Sequence, residues 1–127
     1  MIRIYLVVFL LVLLSCNKDE FKKHNYNLVG KWKLIESYIN PGNGGYWQKS
    51  KTYPPLTIEF TSDGKLNSNF EFYSAYSGYK LVANSTIEFV PPLNGVTRAV
   101  YYSFTSDTEL TVTYACIEGC GDKFVKY

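Results

Sequence analysis

From Leu28 onward the apolar positions recur mostly two residues apart, the spacing of half-buried strands and not of a helix. Trp32, Leu34, Glu36 and Tyr38 share one face of the first run, with Lys31, Lys33, Ile35, Ser37 and Ile39 on the other. Leu56, Ile58 and Phe60 alternate with Thr57, Glu59 and Thr61. Ser62-Asp63-Gly64 then supplies the glycine that a tight hairpin needs. The returning run turns Leu66, Ser68, Phe70 and Phe72 inward and Lys65, Asn67, Asn69 and Glu71 outward.

Tyr79 and Leu81 alternate with Lys80 and Val82, and Ala83-Asn84-Ser85 turns the chain into residues 86–90. Pro91-Pro92 is expected to end that strand, because proline cannot donate to a ladder. Val96, Arg98, Val100, Tyr102 and Phe104 stay in register; Leu110, Val112 and Tyr114 alternate with Glu109, Thr111 and Thr113; residues 123–127 close the chain. Eight short strands with one apolar face each predict an all-β domain. A sandwich is compatible with that pattern, and the expected form is a small eight-stranded antiparallel up-and-down β-barrel. Its interior is just wide enough for side chains or one small ligand.

Twelve Tyr and eight Phe in 127 residues reinforce this reading, since aromatic rings suit pleated surfaces. The length allows one core. A formal net charge of +2, with lysines scattered among acids, leaves no continuous basic stripe, so nucleic acid is excluded as a partner class.

Residues 1–15 carry Arg3 and then an unbroken apolar run over 4–14. That run is shorter than the roughly 20 residues of a spanning helix and matches a secretory signal peptide. Leu13, Leu14, Ser15 and Cys16 resemble the lipobox of bacterial lipoproteins, which implies that Cys16 becomes the first residue and carries acyl chains such as palmitate. Leu14 departs from the smaller residue usual there. Residues 16–27 are rich in charge and are expected to form a flexible tether. Within it, Lys18, Asp19 and Glu20 resemble the signal that some Gram-negative lipoproteins carry for transfer to the outer face of the outer membrane; a plain solvated spacer is the other reading. The expected location is the bacterial outer membrane, lipid-anchored and facing either the periplasm or the exterior. Once Cys16 is lipidated, Cys116 and Cys120 remain as a pair. In a straight strand they would stand about 13 Å apart, beyond the roughly 7 Å a disulfide tolerates, so this stretch must turn. A zinc site needs two further ligands, and the only histidine, His24, lies on the tether; no metal or other cofactor is expected.

Leu28-Val29-Gly30-Lys31-Trp32 resembles the opening G-x-W of the lipocalin superfamily. Residues 28–127 as a whole, with the Asp-Gly hairpin and the ending CIEGCGDKFVKY, are similar to small bacterial lipocalin-like domain lipoproteins. The resemblance implies a structural plug at the closed end of the barrel, built from Gly30, Trp32 and, on the last strand, Lys126. The chain is shorter than typical lipocalins and lacks the helix that follows their barrel.

Glu36 and Arg98 fall on the expected inner face. A charge there costs several kcal/mol unless it is paired, solvated or turned outward by a bulge. In the ligand reading, Arg98 receives a ligand carboxylate, Glu36 orients it, Tyr38 and Tyr102 add internal polar contacts, and Trp47 stands at the rim. In the alternative, Glu36 and Arg98 form an ion pair or a bulge turns one outward. Residues 40–50 are turn-rich yet carry Tyr46 and Trp47, suiting either a ligand lid or a cap over the core. Tyr73, Tyr76 and Tyr79 suit sugar stacking or edge packing. With no histidine in the folded part and no spare cysteine, Ser-His and Cys-His nucleophiles are excluded, and the protein is expected not to be an enzyme. The leading expectation is a membrane-anchored barrel holding a small apolar or amphipathic molecule. The competing one is a filled barrel whose outer loops contact a glycan or an envelope protein.

Overall fold

The computed structural model describes residues 27–83, 85–117 and 119–127; the expected signal peptide, Cys16 and nearly all of the tether lie outside them. The elements are β1 (Gly30–Ile39), β2 (Tyr46–Lys49), β3 (Thr57–Phe60), β4 (Leu66–Ser68), α1 (Glu71–Ser74), β5 (Gly78–Val82), β6 (Thr86–Leu93), β7 (Val96–Ser106), β8 (Glu109–Tyr114) and β9 (Cys120–Lys126). All pairings are antiparallel, in the order β4-β3-β1-β9-β8-β7-β6-β5. A bridge between Lys65 and Gly78 brings the two outer strands together, with bonds from the Leu66 amide to the Ser77 carbonyl and from the Tyr79 amide to the Gly64 carbonyl. The result is an all-β, eight-stranded, nearly closed antiparallel barrel.

Three local expectations are corrected. Residues 40–50 are not wholly loop: β1 outruns β3, and β2 covers the exposed edge with Tyr38 opposite Trp47. The run after Leu66 stops at Ser68, because the Asn69 side chain accepts the Thr57 amide at 2.7 Å and the Ser68 hydroxyl donates to the Thr57 carbonyl at 2.7 Å. These bonds close off the β3 edge, and the chain turns into α1. Pro91 and Pro92 do not end β6, which runs on to Leu93. The register against β7 slips between Phe89 and Leu93 and the β5 ladder ends at Val90, so neither proline is asked for an amide hydrogen.

The barrel axis is filled. Trp32, Ile58, Phe60, Ile87, Phe89, Val100, Leu110, Val112 and Phe124 are all fully buried, and Tyr73 reaches down from α1 among them. Each large apolar side chain so placed stabilises the fold by about 2 kcal/mol. At one end the Trp32 indole N–H donates to the Leu28 carbonyl at 2.8 Å, and the Lys126 ammonium stands 5.2 Å from the ring centroid. Gly30 has φ +137°, a backbone conformation that side-chain-bearing residues rarely adopt, so conformation calls for glycine there. At the other end α1 lies across the mouth: Phe72 stacks on Tyr114 with centroids 5.3 Å apart, and Tyr73 meets Phe89 at 5.5 Å.

Candidate functional site

The geometry of the site follows from one irregularity in β1. Trp32 and Leu34 point to the axis, opposite Lys126 and Phe124 of β9; the register then slips, and Glu36 pairs with Lys123, Ser37 with Asp122 and Tyr38 with Gly121. The extra residue, Ile35, reverses the faces beyond it. Ser37 therefore turns inward and donates to the Asp122 carboxylate at 2.6 Å, while Glu36 and Tyr38, expected inside, stand on the outer surface.

On that surface the residues converge. The Lys123 ammonium lies 3.1 Å from the Glu36 carboxylate and 4.1 Å from the centroid of Trp47. Trp47 meets Tyr38 edge to face at 5.4 Å. Gly121 makes the floor: a Cβ there would lie 3.3 Å from the Trp47 ring and 3.1 Å from the Val112 carbonyl. Beside these rings is a hollow of about 300 Å³ lined by Tyr38, Trp47, Thr113, Gly119, Cys120 and Gly121. It continues along Tyr38 into a shallower one bounded by Asn40, Cys116 and Ile117. Cys116 and Cys120 form a disulfide, with Cα atoms 5.9 Å apart, which fixes this wall. Ile117, at the tip of the turn, is completely exposed.

Arg98 lies opposite buried Phe89, but at the mouth, exposed, with its guanidinium 5.2 Å from the Phe72 ring centroid. Tyr102 is half-buried and meets Phe104 at 5.8 Å. Glu36 and Arg98 are thus on opposite sides of the wall, and the structure does not bring them together. It unites instead Glu36, Tyr38 and Trp47, three of the five residues expected at a ligand, and adds Lys123 and the glycine floor. Tyr46 and Tyr53 are exposed, whereas Tyr73, Tyr76 and Tyr79 are core residues.

An internal polar cluster went unseen in the sequence because residue 122 precedes the stretch read as the last strand. Asp122 is 2 % exposed, and burial pushes its carboxyl above the usual range, partly offset by the hydrogen bond from Ser37. Burial, with the Asp122 charge nearby, pushes the Tyr114 hydroxyl up to about 12 and the Tyr73 hydroxyl well above its ordinary value. The Tyr73 hydroxyl faces this carboxyl from α1 and is buried without a hydrogen bond of good geometry. The signal that would have found the cluster is the Gly-Asp pair directly after Cys120, which admits an inward acid only if the strand starts there.

Among the described residues no group of three or more His, Cys, Asp or Glu side chains is placed to hold a metal. The barrel shape is compatible with ligand binding, although a ligand on the axis has to displace Tyr73. Comparison of the chain with protein-family models, with curated proteins and with solved structures found no match.

Proposed function

We propose that this protein is a non-enzymatic binding domain, tethered to the bacterial outer membrane through lipid on Cys16, that takes its ligand on the outer aromatic hollow beside Trp47. One observation carries the reading: the axis is occupied by core side chains, whereas the hollow between Tyr38 and Trp47, of about 300 Å³, is open and floored by glycine. That volume is at the small end of ligand sites, and aromatic walls with polar groups at the edge fit a sugar ring, whose apolar face packs on the rings while its hydroxyls reach Glu36 and Lys123.

Asn27 enters at the Trp32 end of the barrel, and from Gly30 to Tyr38 the first strand advances about 26 Å, so the hollow lies at the end of β1 far from the point where the tether joins.

Ligand-detected NMR with envelope oligosaccharides tests the site, with Trp47→Ala as the control. Binding lost in the variant supports the proposal; binding kept by Trp47→Ala and lost on mutating Arg98 moves the ligand to the barrel mouth and overturns it. Cys16→Ser tests the anchor separately, because the variant should leave the membrane fraction.

A further inference from the structure

We propose that a second, smaller site opens through the barrel wall between β2 and β3 and takes an apolar zwitterion of amino-acid size, its ammonium at Ser37 and its anionic group at Lys49 and Lys51. Both β2 and β3 pair with the same edge of β1, β2 along Glu36–Ile39 and β3 along Gly30–Lys33. Between them the chain over 50–56 leaves the sheet, held at its two ends by bonds from the Ser50 amide to the Ile35 carbonyl and from the Leu34 amide to the Leu56 carbonyl, each 2.8 Å. The fork leaves a hollow of about 280 Å³. Leu34, Leu56 and Phe70 form its apolar wall, Ser37 is a polar group on the inward face, and Lys49 and Lys51 line its outer part.

Two observations give the hollow a chemistry. The Ser37 hydroxyl spends its one hydrogen on Asp122, so its oxygen is left to accept from a donor in the hollow. Behind it, the Asp122 carboxyl is almost fully buried, and the ion pairs among the described residues, Lys65–Asp63 and Lys123–Glu36, do not include it. On its far side the Tyr73 hydroxyl faces it, buried and without a hydrogen bond of good geometry, and the Tyr114 hydroxyl lies beside it. Hydroxyl groups are the donors that face this carboxyl and no ion pair among the described residues includes it, so an ammonium bonded to Ser37 sits in its field. The two lysines would repel a simple amine, so the ligand must also carry an anionic group. The apolar wall then asks for a hydrocarbon or aromatic body, and the volume limits it to about the size of phenylalanine.

Calorimetric titration of the full chain with L-phenylalanine, N-acetyl-L-phenylalanine and L-phenylalaninamide tests this. Phenylalanine should bind, and the two blocked forms should bind about tenfold more weakly or worse, each lacking one charged contact. Ser37→Ala and the surface pair Lys49→Gln/Lys51→Gln should each weaken phenylalanine about tenfold. Trp47→Ala should leave it unchanged, which separates this site from the outer hollow. No binding of phenylalanine to the folded protein, equal binding of all three compounds, or loss with Trp47→Ala in place of Ser37→Ala overturns the proposal.

Discussion

Glu36 and Lys123 meet at 3.1 Å on the outside of the barrel, one register step past the point where β1 slips against β9. Each side chain keeps about a quarter to a third of its surface in water, so solvent screens the pair. Glu36→Gln should therefore cost less than about 1 kcal/mol in urea denaturation. Lys123→Met should act elsewhere, by removing the cation beside Trp47 and shifting its fluorescence with little change in stability.

Gly121→Ala tests how tightly the floor of the hollow is packed. The new methyl would meet the Val112 carbonyl at 3.1 Å, a backbone atom of β8 that cannot withdraw, and the Trp47 ring at 3.3 Å. The expected cost is about 1 to 2 kcal/mol. An environment change at Trp47 in the NMR spectrum should accompany it.

At the closed end, Trp32→Phe removes the indole N–H that serves the Leu28 carbonyl and part of the ring beneath Lys126. Thermal unfolding should show a loss of about 1 to 3 kcal/mol. Trp32→Ala should cost about 3 to 5 kcal/mol, the usual price of an emptied aromatic site.

Asp122 sets a pH dependence. Its folded-state pKa is raised above 3.8, so between that value and the raised one the folded protein holds a proton that the unfolded chain releases. Stability then falls as pH rises through this window and levels off above it. Asp122→Asn should flatten that limb in denaturation curves taken from pH 3 to 7. Tyr73 and Tyr114 carry the same sign at the alkaline end: both are raised above 10, so stability should fall again from about pH 10 as the unfolded chain loses phenolic protons first.

The disulfide between Cys116 and Cys120 closes a short loop, and the entropy of so small a ring limits its contribution to about 2 kcal/mol. The double variant Cys116→Ser/Cys120→Ser should stay folded, with its thermal midpoint lowered accordingly. Loosening of the hollow should appear as faster amide exchange at Gly119 and Gly121.

Much of the barrel is legible in the chain because a strand buried on one face writes its orientation every second residue. Ile58 and Phe60, and Leu110 and Val112, were each placed by that rule, and all four are buried. The rule fails where the backbone departs from period two. Ile35 adds one residue to β1, and every expectation beyond it, Glu36 and Tyr38 included, was turned to the wrong side. Asn69 fails differently: its side chain imitates a strand partner for Thr57, a competition that alternation does not encode.

By itself the sequence determined the all-β class, the approximate place of most strands and much of the core, because those depend on local spacing and on the need to remove apolar groups from water. Only the tertiary structure decided that Trp47 lies across Gly121 and Lys123, that Ser37 meets Asp122, and that Tyr73 fills the axis. Those contacts join residues as many as 85 positions apart, and a single slip in the pairing of two strands chooses which of them form.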